Sequence, residues 1–203
     1  MNADYIENII RNIEDQSYRC ILIDGAWGIG KSYMVEKALE DLKGRTCFVS
    51  LFGMDNAQQI YHEILFQLFF QTPDGGKMVK WLRDATKFLG NFNWKAKTIN
   101  TVLESRFSEQ DAVVILSRRF ETKHVIVIDD LERCENNLSL REVFGVVEAL
   151  KQCNNIQVVI IANTDEIEAK EDFEKYNEKV IDRVFRVTEY SNKVKWGELY
   201  VEP

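Results

Sequence analysis

The stretch Gly25-Ala26-Trp27-Gly28-Ile29-Gly30-Lys31-Ser32 decides the fold of this chain. It fits the pattern G-x-x-x-x-G-K-S/T at every fixed position, the signature of a backbone loop that cradles phosphates. Just before it, Cys20-Ile21-Leu22-Ile23-Asp24 is a short apolar run of strand type. Just after it, Met34, Val35, Ala38, Leu39 and Leu42 recur at helical spacing. A strand feeding a glycine-rich turn that opens a helix is the setting the pattern needs. Glycines let the main chain wrap closely round a polyphosphate, and the helix start adds a favourable dipole. At ordinary residue frequencies the bare pattern arises in roughly 1 in 100 chains of this length, so the flanking strand and helix matter as much as the glycines. The expected nucleotide contacts are Gly25, Trp27, Gly28, Ile29, Gly30, Lys31, Ser32 and Tyr33. Lys31 is expected to serve catalysis as well, at the β- and γ-phosphates, with the Ser32 hydroxyl on Mg²⁺. For Trp27 two readings stand: packing under the loop, or stacking on the base.

Outward from the loop, strands alternate with helices. Asp4, with Glu7 three residues on, reads as the cap of a first helix carrying Ile6, Ile9, Ile10 and Ile13. The helix after the loop is expected to run to about Lys43 and stop at Gly44. Residues 46–52 read as a second strand, and Ile60, Tyr61, Ile64, Leu65 and Leu68 mark another helix. Val113, Val114, Leu116 and Phe120 suggest a further helix before the apolar strand 124–128, which ends in Asp129-Asp130. Ser139 and Glu142 form a capping-box pattern, strand 157–162 ends at Asn163, an acidic helix follows within 165–182, and 184–187 closes the series. Fully apolar strands alternating with helices predict an α/β fold: a three-layer parallel sheet with helices on both faces.

The second half of the site is expected at the strand that ends in Asp129-Asp130. In a parallel sheet, strand C-termini share one crevice, so Asp129 would meet the metal and Asp130 would orient or deprotonate a water. Taken without the loop, the two aspartates read as readily as caps of the turn after the strand; the loop upstream favours the metal and water roles.

The 203 residues suit a single α/β domain. Lys and Arg total 26 against 33 Asp and Glu, a net charge of −7 that argues against coating nucleic acid. The four cysteines, Cys20, Cys47, Cys134 and Cys153, have no paired spacing, and with His62 and His124 the only histidines no zinc pattern assembles. No signal peptide or membrane span is evident, and a cytoplasmic protein with reduced thiols is expected. The segment from about 71 to 111 reads as a helical insertion. Its part 77–97 holds Lys77, Lys80, Arg83, Lys87, Lys95 and Lys97, with Trp81, Phe88, Phe92 and Trp94 interleaved. Three uses suit it: an ordinary helical excursion, a docking surface for a protein partner, or contact with nucleic acid or an anionic membrane.

The loop with its internal Trp27, together with Asp129-Asp130-Leu131-Glu132-Arg133-Cys134, resembles the KAP family of P-loop ATPases. Tyr176-Asn177-Glu178-Lys179-Val180-Ile181 is similar to a downstream element of that family. Glu132 stands where the family commonly has Asp, and Val184 and Thr188 where it often has prolines. The resemblance spans roughly residues 18–190. It implies an additional-strand, AAA-like ATPase core taking ATP and Mg²⁺, with Asp129 on the metal and Asp130 acting on water. It also implies a polar sensor on the strand adjacent to the loop, where Asn163 falls. From the residues themselves, Asn163 can be either that sensor or the cap of the next helix. Arg133, Arg183 and Arg186 are candidates for completing a phosphate site.

The expected function is a Mg²⁺-dependent ATPase acting as a switch or assembly module, with ATP-dependent self-association open and antiviral defence suggested by the family. A module that binds ATP without turnover is the alternative, because the chain stops at Val201-Glu202-Pro203, before the lid expected to close such a site. A small-molecule phosphotransferase is the third class, and no arginine-rich lid is found for it. The absence of an N-K-x-D tetrapeptide favours adenine over guanine.

Overall fold

The computed structural model describes residues 3–42, 44–70, 109–119, 122–134 and 138–188. The basic, aromatic stretch 77–97 lies outside the described residues. Five strands, β1 (Cys20–Asp24), β2 (Thr46–Ser50), β3 (His124–Asp129), β4 (Ile156–Ala162) and β5 (Arg183–Arg186), form one sheet in the order β2-β3-β4-β1-β5. Every neighbouring pair is parallel.

The two faces divide by alternation along each strand. Ile21, Ile23, Val125, Val127, Val159 and Ile161 pack with Ile6 and Ile10 of α1 (Ala3–Arg11) and Met34 and Val35 of α2 (Lys31–Ala38). Leu22, Ile126, Ile128, Val158 and Ile160 face the other way. They pack against α3 (Ala57–Phe70), α4 (Glu109–Arg119), α5 (Leu140–Lys151) and α6 (Lys170–Val180). Strands buried on both faces explain the unbroken apolar runs. The sequence expectation of a three-layer parallel sheet therefore holds. Phe144 ties α5 to α6, its ring 6.1 Å from Phe173 and 6.0 Å from Tyr176.

Several element boundaries shift from expectation, β5 running Arg183–Arg186 rather than 184–187 and α1 ending before Ile13, and three further differences stand out. The helix α2 ends at Ala38 rather than Lys43, because Leu42 N–H bonds to the Leu39 carbonyl and closes a 3₁₀ turn over Glu40–Leu42. The strand β2 stops at Ser50; Met54 N–H then bonds to Leu51 O, Gly53 takes φ 76°, and Phe52 is turned out to 64% exposure. Asp4 lies inside the first turn of α1 instead of capping it. The capping box is as read: Ser139 Oγ accepts from Glu142 N, and the Glu142 side chain accepts from Ser139 N.

At the outer edge, the Gln67 amide of α3 imitates a strand. Its oxygen accepts the Phe48 N–H at 2.9 Å and its nitrogen donates to Phe48 O. At the N-terminal edge of the sheet, Asp182 accepts the Arg19 and Cys20 N–H groups at 2.6 and 2.8 Å. The Arg19 guanidinium closes the turn after α5 through the carbonyls of Lys151 and Asn154, both at 2.7 Å, and Cys153. No helix among the described residues is long and apolar enough to cross a membrane.

Candidate functional site

Strand register brings the predicted residues to one edge. Asp24 pairs with Ala162, Ile128 with Ile160, and Ser50 with Asp129, so β1, β4, β3 and β2 end together. The strand β4 lies between the loop strand β1 and the aspartate strand β3.

The loop Gly25–Gly30 leaves β1 under tight constraint. Gly25 N–H bonds to Ala162 O at 3.1 Å, and a side chain at Gly25 would place Cβ 2.7 Å from Val187 O. Gly28 and Gly30 take φ of 74° and 91°, a region open to glycine at little steric cost. Lys31 opens α2 and folds back, its Nζ donating to Gly25 O at 2.7 Å and Ala26 O at 3.0 Å. Burial pulls its ammonium below the ordinary value, against the attraction of Glu132, Asp129, Asp24 and Asp130.

Ser32 Oγ donates to Asp129 Oδ2 at 2.6 Å, so the hydroxyl and the carboxylate expected on the metal meet across 97 residues of sequence. Burial raises the Asp129 carboxyl above its ordinary value; hydrogen bonds from Ser32 and from Asp130 N–H oppose this, and Asp130 and Glu132 add to it. Asp130 sits in the left-handed region at φ 62°, a conformation uncommon outside glycine, asparagine and aspartate. It does not cap the 3₁₀ turn Leu131–Arg133 with its side chain. Instead its Oδ2 accepts from Ser50 Oγ at 2.7 Å and its Oδ1 lies 3.3 Å from Arg133 Nε.

Trp27 is 53% exposed, so it does not pack under the loop. Its indole N–H donates to Glu132 Oε1, and the Arg133 guanidinium stands 5.7 Å from its ring and 5.9 Å from that of Phe52. Loop and aspartate turn are thus latched together from outside. Tyr33 is half exposed on the first turn of α2. Asn163 is 5% exposed at the end of β4, and its side chain makes no capping hydrogen bond. Arg183 begins β5 opposite Ile21, away from the loop, whereas Arg186 lies level with Asp24. Ser50, Asp24 and Thr164 were not singled out from the sequence; only knowledge of strand order would have placed them here.

The donor set suits magnesium. Serine hydroxyl and carboxylate are hard oxygen ligands, and Mg²⁺ is usually held by one or two carboxylates together with substrate phosphates. Among the described residues, no group of three or more His, Cys, Asp or Glu could hold a metal alone. Glu132 Oε2 is buried without a hydrogen-bond partner among the described residues.

A family model described as the KAP family P-loop domain matches residues 2–199. No curated protein matches the chain. Among solved structures, Cdc6p from Pyrobaculum aerophilum is similar at 15% identity and TM-score 0.53, over 91% of this chain and 43% of that one. The Walker-type ATPase of Pyrococcus abyssi is similar at 11% identity and TM-score 0.54, over 89% and 52%. A chain in the structure of Drosophila ORC bound to GC-rich DNA and Cdc6 gives 12% identity and TM-score 0.50, over 97% and 63%. These likenesses are of fold, and the chain spans about half the length of the solved chains it resembles.

Proposed function

This chain belongs to the KAP family of P-loop domains, and on that premise we propose that it is a Mg²⁺-dependent module that binds and hydrolyses ATP as a conformational switch or assembly ATPase. The observation that carries the reading is the 2.6 Å contact between Ser32 Oγ and Asp129 Oδ2, directly beside the phosphate loop. Ser32 and Asp129 would hold Mg²⁺, which supplies charge neutralisation at the phosphates.

The chain's own groups divide the remaining work. Lys31 leaves the carbonyls of Gly25 and Ala26 for the β- and γ-phosphates, and the N–H groups of residues 26–33 line the polyphosphate. Asp130 orients water and takes its proton as the oxygen attacks the γ-phosphorus and the bond to the β-phosphate oxygen breaks. Asn163 donates its amide to a γ-phosphate oxygen. A cytoplasmic setting in bacterial antiviral defence, ATP-dependent self-association and a protein partner for stretch 77–97 are proposed on the family resemblance and the sequence.

Phosphate release from ATP by the purified chain is the test. Asp130→Asn is expected to lower turnover by about 10²-fold or more while ATP still binds. One observation favours the alternative of a binding module without turnover: both Asp130 oxygens are engaged, by Ser50 and Arg133. ATP bound tightly and recovered intact, with any added partner, selects that alternative.

A further inference from the structure

Asn163 occupies the N-cap position of the 3₁₀ turn Thr164–Glu166, where an asparagine side chain ordinarily accepts from the turn's N–H groups. Here it does not. A carboxylate from another strand fastens the first residue of the turn. Asp24 Oδ1 accepts from both Thr164 N and Thr164 Oγ1, each at 2.9 Å. Its other oxygen accepts from Arg186 Nε at 2.8 Å, and Arg186 Nη2 reaches Asp165 Oδ1 at 3.0 Å. Asp24 itself is buried, and its carbonyl accepts from Val187 N–H at 2.8 Å.

The residue immediately before the phosphate loop is therefore fastened to the residue immediately after Asn163, and to β5 beyond. A buried carboxylate accepting three hydrogen bonds has a defined position, and it passes that position to both neighbours. Resting on the ATPase reading above, we propose that Asp24 is a positioning residue. By fastening Thr164 it fixes the end of β4 at Asn163 and presents the Asn163 amide, in register with the loop, to the γ-phosphate. ATP is then told from ADP by the Asn163 amide, held in place by Asp24 and Thr164, which touch neither nucleotide.

The test is a double-mutant cycle in the 203-residue chain, reading ATP and ADP affinities by calorimetry with Mg²⁺ present. Asn163→Ala and Thr164→Val are each expected to reduce the preference for ATP over ADP by roughly tenfold, the scale of one hydrogen bond to a charged group. ADP affinity should hold, and the double variant should lose no more than Asn163→Ala alone, because Thr164 acts through Asn163. Thr164→Ser keeps the hydroxyl and should restore the preference. Losses that multiply in the double variant, or a Thr164→Val chain that keeps its preference, overturn the proposal and leave a purely structural contact. A parent chain that binds both nucleotides without preferring ATP overturns it too, while leaving nucleotide binding intact. A parent that binds neither removes the ATPase reading itself.

Discussion

At the N-terminal edge of the sheet, Asp182 accepts from Arg19, Cys20 and Lys151, and Lys151 also donates to Val180 O at 2.6 Å. At the C-terminal edge, Lys31 donates to loop carbonyls, Asp129 accepts from Ser32, and Asp130 is shared by Ser50 and Arg133. Both edges are dense in charge, and both are paired. They differ in what the pairing does to the groups. Burial disfavours the Asp182 anion, but donation from Cys20, Lys151 and Arg19 outweighs it and holds the carboxyl below its ordinary value. At Asp129 the balance runs the other way, and the carboxyl is raised. One edge holds its carboxyl below the ordinary value and the other above it; on the proposed reading, a phosphate and a cation complete the second. On that reading the first edge is a structural clasp and the second the proposed binding site.

The comparison breaks first at Lys31. Lys31→Ala should weaken ATP binding by about 100-fold, the loss of a buried charged contact, yet leave thermal melting close to that of the parent. A large loss of stability would make Lys31 part of a clasp. Next, Gly25→Ala should destabilise the chain by ~2 kcal/mol through overpacking against Val187 O, whereas Gly28→Ala, which meets nothing within 4 Å, carries only left-handed strain. Equal melting temperatures for the two would contradict the crowding at Gly25.

Asp182→Asn should lower stability by about 1–2 kcal/mol at neutral pH without changing the ATP-to-ADP preference. Because the folded carboxyl lies below its ordinary 3.8, the contribution is present above that value and fades as pH falls through it to the folded one. The parent and the variant should therefore converge in acid-melting experiments; a constant gap down to low pH would rule the clasp out. Smallest of all, Ser139→Ala should cost about 1 kcal/mol as a lost cap and leave nucleotide affinity untouched.

Much of this was legible in the sequence because it is local. The loop, its flanking strand and helix, and the Ser139–Glu142 box each lie within a dozen residues. Asp129 and Ser32 were legible at a distance because apolar strands of a parallel sheet end in one crevice. What escaped reading depends on strand order. Ser50 reaches Asp130 only because β2 lies beside β3, and Thr164 reaches Asp24 only because β4 lies beside β1. Trp27 was expected beneath the loop or on the base, and its bond to Glu132, 105 residues away, needed the fold. The overlong α2 arose because Leu42 keeps an apolar phase through a change from α to 3₁₀ geometry.

The amide of Gln67 has a bearing on assembly. By filling the middle rung of β2 with a side chain, it denies an incoming backbone the ladder a sixth strand would climb. Should the proposed self-association use that margin, copies would meet through helices and loops, which can slide or part where a continuous sheet could not.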